Sequence, residues 1–354
     1  MTAKRRRPTQ VDIARRVGIS QATVSLVISG GAASDLVAED TRRAVLEAAA
    51  ELGYTVNTAA RSLKGGRNRM LGLYTFESVF PVDQRDFYFP FLLGVEGAAA
   101  EFGYDLLLFS SASPEAGRRI YADGVNRLKV ADGCVLLGRQ LDRSEVAELI
   151  KEDFPFVFVG RREVPGVELP YVAADYIGAT REMVRRLAQA GHRKLAYLKV
   201  TDDKEWTRDR EAGFRQGLDE AGIAAADVPF IAIDEESPLT AVRLREWLAA
   251  GITAVVVEPS HDDSVIAAVE RAATELGLSI PADLSVAVLG DPLLRDATVR
   301  DWSRFALPRE EMGREAVRLL LQLFDDTATE RQLYLDCTQI PGDSVAAPPG
   351  RPGA

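Results

Sequence analysis

From Met70 onward the sequence sets out short apolar runs separated by helix-length segments, and it does so twice. The first series begins with Leu71-Gly72-Leu73-Tyr74. Phe91–Phe102 then reads as a helix stopped by Gly103, and Tyr104–Phe109, Val135-Leu136-Leu137 and Phe156–Val159 read as strands. The second runs through a strand at Leu195–Leu198, a helix at Arg210–Ala221 ended by Gly222, and a strand at Ala254–Val257. A helix at Asp263–Leu276 and a strand at Val286–Leu289 follow, with Pro281 closing the turn before the last strand. Short apolar strands alternating with helices belong to a mostly parallel sheet covered on both faces. Two such series predict two α/β lobes, with a cleft between the carboxyl ends of their strands where open sheets bind ligands. The tail Pro341–Ala354, rich in proline and glycine, predicts a disordered end.

The net charge of −10 argues at first against a nucleic-acid partner. Its distribution reverses that. Residues 1–69 hold twelve Lys/Arg against six Asp/Glu, a net +6, which leaves −16 for the rest. A basic head on an acidic body concentrates phosphate contacts in one small module. No apolar run is long enough to span a membrane, and no apolar stretch follows the basic MTAKRRRPTQ as it would in a secretory leader. The two cysteines, Cys134 and Cys337, form no spacing motif. Cys134 lies in the apolar run VADGCVLLG and reads as a buried thiol, which fits a cytoplasmic protein.

Within the basic head, Thr9-Gln10-Val11-Asp12 has the form of a capping box, followed by a short helix with Ile13, Ala14 and Val17 on one stripe. Gly18 breaks that helix, and Ser20 is placed to cap a second one whose Val24 and Val27 face the same core. Two short helices crossing at a glycine turn make a helix-turn-helix, whose second helix can enter the major groove. The outward face of that helix carries Gln21, Ala22, Ser25 and Leu26, with Thr23 at its edge. Glutamine can contact adenine in bidentate fashion, and alanine or leucine can touch a thymine methyl, so Gln21 is the preferred polar base reader. An ordinary helical hairpin with a solvated face would show the same pattern. A third helix is expected at about Glu39–Leu52, with Val45, Leu46, Ala49 and Leu52 inward and Gly53 as its stop. Next, Asn57 and Gly65-Gly66 bracket one or two helical turns, too short to be stable without a partner or DNA. Leu63, between Arg61 and Lys64, suits a wedge between base steps in the minor groove; it also suits a linker packing on the next domain.

The body carries no catalytic constellation. Its two histidines, His192 in Gly191-His192-Arg193-Lys194 and His261 before Asp262-Asp263, have no nucleophile in a recognisable motif. A phosphate-binding loop, a dinucleotide fingerprint and a metal-ligand cluster are all missing. His192 reads as solvated or structural, and Asp262-Asp263 as helix capping or ligand hydrogen bonding in preference to metal. No cofactor, metal or catalytic residue is expected.

The chain resembles the lactose-repressor/purine-repressor family of bacterial transcriptional regulators. The resemblance is carried by Val11-Asp12-Ile13-Ala14-Arg15-Arg16-Val17-Gly18-Ile19-Ser20-Gln21-Ala22-Thr23-Val24-Ser25, by Thr41 through Tyr54, and by Asn57-Thr58-Ala59-Ala60-Arg61-Ser62-Leu63. Body motifs such as Phe158-Val159-Gly160-Arg161, Arg210-Glu211-Ala212-Gly213-Phe214 and Met312-Gly313-Arg314-Glu315-Ala316-Val317 extend it over nearly the whole length. It implies an all-α helix-turn-helix head (1–56), a hinge helix and linker (57–68) and an α/β body of two lobes like a type I periplasmic binding protein (69–340). The amino lobe would hold 69–173 and 308–332, the carboxyl lobe 174–307 and 333–340, with 341–354 as the disordered tail. It further implies a nucleoid-associated homodimer on a palindromic operator, with paired hinge helices inserting Leu63 in the minor groove. The expected DNA set is Thr9, Ser20, Gln21, Ala22, Thr23, Ser25 and Leu26 in the head, and Asn57, Ala60, Arg61, Leu63 and Lys64 in the hinge.

In the cleft the resemblance implies Arg210 as anchoring cation and Asp263 as a carboxylate, with Arg161 at the wall. Phe87, Phe89 and Trp206 are aromatics that could cover a sugar face, and each equally suits a place in the core or on a lobe surface. Three departures stand out. The family commonly places an aspartate at the end of the last lobe strand, where Val288-Leu289-Gly290-Asp291 puts Gly290 in that register; either Asp291 substitutes as a cleft residue from one position later or the contact is absent. The first cleft loop, Phe76–Asp86 with Asp83 and Arg85, is longer than usual, as is the head loop Ser29–Val37. Leu26 occupies a position often polar in relatives. The leading expectation is a repressor of carbohydrate-uptake or catabolism genes that responds to a sugar-like effector. A solute-binding protein, a regulator with a non-sugar corepressor and a sugar-modifying enzyme are the other readings; the missing leader and the basic head argue against the first, and the missing catalytic constellation against the last.

Overall fold

The structure is a computed structural model, and it describes residues 8–29, 36–54, 67–76, 85–109, 119–233, 239–260, 263–292 and 300–350. The chain divides into two compact units between Asn68 and Arg69.

The first unit holds α1 (Gln10–Val17), α2 (Gln21–Ser29) and α3 (Glu39–Leu52). At the start of α1 the Asp12 carboxylate accepts from the Thr9 backbone N–H at 2.8 Å and from the Thr9 hydroxyl at 2.7 Å, so an orphan donor of the helix end is satisfied. Gly18 ends the helix with φ +80°, a left-handed conformation that glycine adopts without steric cost. Ser20 caps α2, its Oγ accepting the Thr23 N–H at 3.1 Å. Ile13, Ala14, Val24, Val27, Val45 and Ala48 form the core where the helices meet. Leu46, expected on the inward stripe of α3, is instead 54% exposed. One residue past the buried Val45, it is turned by about 100° around the helix axis, and Ala48 takes the inward place.

The second unit is built on two six-stranded sheets. The first contains β1 (Met70–Thr75), β2 (Asp105–Phe109), β5 (Gly133–Leu137), β6 (Phe156–Val159), β7 (Tyr171–Ala174) and β13 (Gln332–Leu335), in the order β13-β7-β6-β5-β1-β2 with every neighbour parallel. A short hairpin, β3 (Tyr121–Ala122) and β4 (Val125–Asn126), stands apart from it. The second sheet contains β8 (Leu195–Val200), β9 (Phe230–Ile233), β10 (Ala254–Val257), β11 (Ser285–Val288), β12 (Ser303–Ala306) and β14 (Thr338–Ile340). Its order is β14-β12-β11-β10-β8-β9, parallel except for β14, which runs antiparallel to β12. Every residue of β5, β6, β7, β10 and β11 is buried, as expected of strands with helices on both faces.

Helix Arg85–Glu101 packs along helix Arg309–Phe324 on the first sheet. The two backbones approach so closely that a Cβ at Gly94 would lie 1.9 Å from the Glu310 carbonyl oxygen, and one at Gly313 would lie 2.3 Å from that of Phe91. The first of these helices starts six residues before the expected Phe91 and contains Pro90. Pro90 is its sixth residue and, lacking an N–H, makes no i→i−4 bond there.

The strands correct the expected lobe boundaries. Ala174 belongs to β7, and Gln332–Leu335 pairs in register with Tyr171–Ala174, so the amino lobe keeps 69–174 and 308–335. The last crossing lies at Asp336-Cys337, three residues beyond the expected position.

The tail is also corrected, as far as Gly350. Ser344 is fully buried; it donates to the Val286 carbonyl at 2.6 Å and accepts the Ser303 N–H at 2.8 Å. The Ala346 carbonyl accepts from Ser285 Oγ at 3.2 Å and lies 2.8 Å from His192 Nε2, whose Nδ1 lies 2.7 Å from Thr253 Oγ1. His192 is thus a fully buried structural residue. Composition implied freedom for the proline-rich end, yet the backbone groups near β11 and β12 require partners and the tail supplies them. Cys134 is fully buried, and burial pushes its thiol up from its ordinary value. Among the described residues no helix is long and apolar enough to cross a membrane.

Candidate functional site

In the head, α2 turns Val24 and Val27 into the core and leaves Gln21, Ala22 and Leu26 exposed, with Thr23 and Ser25 half-buried beside them. Thr9 and Ser20 act locally as caps, and the Ser20 and Thr23 hydroxyls lie 2.9 Å apart. Gln21 Nε2 donates to Gln10 Oε1 at 3.1 Å, which ties the amino ends of α1 and α2 on the exposed side. Asn57, Ala60, Arg61, Leu63 and Lys64 lie outside the described residues, as do Asp83, His261 and Asp262.

In the body, a cavity of about 1050 Å³, counted to its open mouth, lies between the carboxyl ends of the two sheets. The turns after β5, β6, β10 and β11 reach it with Gly138-Arg139, Gly160-Arg161-Arg162, Pro259-Ser260 and Asp291. Of the expected cleft residues, Phe87, Arg161, Trp206, Arg210 and Asp291 line it. Phe89 and Asp263 do not. Phe89, two residues from Phe87, is rotated by about 200° to the far side of its helix and is 52% exposed. Asp263 precedes helix Ser264–Glu275 in a left-handed conformation (φ 60°). Asp209, Arg162 and Tyr176 also line the cavity, and no sequence motif had marked them.

Arg210 is 6% exposed. Its Nε donates to the Leu289 carbonyl at 2.7 Å, and its guanidinium lies 4.2 Å over the Tyr176 ring. Arg161 grips Asp209 with two donors, Nε at 2.9 Å and a terminal nitrogen at 2.7 Å. This fork joins the lobes, since Arg161 follows β6 and Asp209 sits on helix Glu205–Glu220. Arg208 with Glu163 (2.9 Å) and Arg139 with Asp202 (3.8 Å) bridge the same edge. Burial pushes the Asp209 carboxyl above its ordinary range, and the hydrogen bonds from Arg161 pull it back only in part.

The two aromatic walls each carry a guanidinium: Arg162 lies 5.1 Å over Trp206 and Arg309 lies 4.8 Å over Phe87. Asp291 faces inward but is engaged. It accepts from Arg304, from the Leu307 N–H at 3.1 Å and from Arg309 at 2.9 Å, which ties β11 to the second crossing between lobes. Deeper in the carboxyl lobe, the fully buried Glu258 accepts a hydrogen bond from the Tyr197 hydroxyl, and burial pushes its carboxyl up to about 7. Among the described residues no group of His, Cys, Asp and Glu is placed to hold a metal.

Residues 9–57 match the sequence profile of "Bacterial regulatory proteins, lacI family", and residues 184–345 match that of a "Periplasmic binding protein-like domain". The HTH-type transcriptional regulator CelR of Thermobifida fusca is 31% identical over 330 residues, covering 92% of this chain and 95% of that protein. The chain belongs to the LacI family. AscG of Escherichia coli strain K12, another HTH-type regulator, is 28% identical over 96% of this chain and 99% of its own. In three dimensions the LacI-family fold recurs in the complex of CelR with cellobiose (28% identity, TM-score 0.59, 96% of this chain and 100% of that one). It recurs again in the lac repressor dimer bound to operator and the anti-inducer ONPF (22% identity, TM-score 0.66, 97% and 100%). As a LacI-family member the protein is a DNA-binding transcriptional regulator that responds to a small-molecule effector, and it is not an enzyme.

Proposed function

We propose that this LacI-family regulator represses genes of carbohydrate uptake or catabolism, and that a sugar-like effector in the interlobe cavity controls it. The observation that carries the reading is the convergence of Arg210, the Arg161–Asp209 fork and the rings of Phe87 and Trp206 on one cavity. Guanidinium and carboxylate groups suit hydroxyl recognition, and ring faces suit the apolar side of a sugar. CelR, the relative solved with cellobiose, supports the same class. Operator reading falls to Gln21, Ala22 and Leu26 on the exposed face of α2, flanked by Thr23 and Ser25. Two copies would pair on a palindrome, with Arg61 and Lys64 on phosphates and Leu63 wedged in the minor groove. The cross-lobe ion pairs hold the two lobes together along one edge. An effector that favours one lobe angle over another would shift that population and bias the hinge, without any chemical step.

The test is a salt-controlled titration of the full chain against its own upstream promoter DNA, repeated with a panel of sugars and sugar derivatives. Palindrome-dependent binding relieved by one compound supports repression. Binding strengthened by a compound makes that compound a corepressor. Absence of any preference for that DNA under all conditions refutes local repression.

A further inference from the structure

We infer that the ligand of the interlobe cavity carries a negative charge, a carboxylate or phosphate borne on a sugar, and that this group seats on Arg210. The inference rests on the reading of the cavity as the effector site. Arg210 is almost wholly buried yet lines the cavity. Its Nε is engaged by the Leu289 carbonyl, and one side of its plane by Tyr176. Its terminal nitrogens donate to no described residue, and it forms no ion pair among the described residues. A guanidinium this far from bulk water requires acceptors and a counter-charge.

The nearby acids are committed elsewhere. Both oxygens of Asp209 are gripped by Arg161, and Asp291 is held by Arg304, Arg309 and the Leu307 N–H. Asp263 does not line the cavity. Glu258 is hydrogen-bonded through one oxygen to Tyr197; burial pushes its carboxyl up to about 7 although the nearby Arg210 charge pulls it down, so it compensates Arg210 only in part. Where the family resemblance places an aspartate, this chain has Gly290. A Cβ there would lie 3.3 Å from a terminal nitrogen of Arg210 and 3.1 Å from Pro259 Cγ, so glycine leaves the approach to the guanidinium open. The acid missing at the Gly290 position is supplied by the ligand. Two oxygens of a carboxylate or phosphate match the paired donors of a guanidinium, whereas a neutral sugar leaves the charge uncompensated.

The experiment is calorimetric titration of the full chain with matched sets: glucose, gluconate and glucose 6-phosphate; cellobiose and cellobionate; ribose, ribonate and ribose 5-phosphate. Within the set that binds, the anionic member should bind roughly ten- to hundredfold tighter than its neutral parent, with the advantage shrinking as salt rises. The carboxylate and phosphate arms distinguish the two sources of charge. Arg210→Gln should erase the advantage and Arg210→Lys should retain part of it, with operator binding by both variants as the control for folding. A neutral sugar that binds as tightly as its anionic partners overturns the inference and leaves the sugar-effector reading standing. If no sugar of either kind binds while operator binding is intact, both fall.

Discussion

Replacing Ile13 with alanine removes the centre of a very small core. Ile13 is fully buried among Ala14, Val24, Val27, Val45 and Ala48, and is the largest fully buried side chain of the head among the described residues. Truncations of this kind cost about 2–5 kcal/mol, the transfer of the lost carbons plus the cavity left behind. A folded unit of this size holds only about 2–7 kcal/mol in total, from roughly 0.05–0.15 kcal/mol per residue. The substitution therefore consumes most or all of the head's stability, whereas Ile13→Val should cost about 1 kcal/mol and leave it folded. Trp206, Trp247 and Trp302 all lie in the body, so tryptophan emission during urea unfolding follows that unit alone. Amide hydrogen exchange over residues 10–52 follows the head. The expected outcome for Ile13→Ala is lost protection in the head, at least a hundredfold loss of operator affinity, and an unchanged tryptophan transition. A tryptophan midpoint that falls in step with head protection would show one cooperative unit and refute the reasoning, as would full protection in the variant.

Three further outcomes follow from particular groups. Asp209→Asn removes one charge of the interlobe fork at side chains that are only 19% and 10% exposed; effector affinity should fall roughly tenfold or more, and small-angle scattering should detect a wider body, while an unchanged radius and affinity would deny the fork a closing role. Glu258 has its folded pKa raised by burial from 4.5 to about 7, so its contribution to stability is complete below the unfolded value and is lost as pH rises through the folded one. Glu258→Gln should accordingly stabilise the body by about 3 kcal/mol at pH 8.5 and by far less at pH 5, and a difference independent of pH would count against this. Leu63→Ala, in the hinge outside the described residues, should weaken operator binding and spare effector affinity; equal loss of both would sink the wedge assignment.

The local elements were legible because their causes are local. The end of α3 at Gly53 and the bounds of β6 and β10 follow from a glycine stop and from short β-branched or aromatic runs, each visible locally. Leu46 was misplaced because helical phase, not apolar character, decides which side faces inward. The helix expected from Phe91 begins at Arg85 and carries Pro90 within it. In the cavity, Arg161, Arg210, Phe87, Trp206 and Asp291 were reachable through family spacing, whereas Phe89 and Asp263 were assigned without the rotation or backbone conformation that turns each away.

The sequence by itself determined the division into a basic helical head and an acidic α/β body, the repeated lobe and the helix-turn-helix, since each depends on composition or on periodicity within one segment. Only the tertiary structure decided which charges meet. Arg161 finds Asp209 at a separation of 48 residues, and Asp291 finds Arg304 and Arg309 at separations of 13 and 18 residues. The same holds for the tail: Ser344 and Ala346 are ordered by Val286, Ser303, Ser285 and His192, partners supplied by strands far back in the chain. Buried polar groups must be satisfied by whatever the fold brings near them, and that neighbourhood is set by packing across lobes, which no local pattern records.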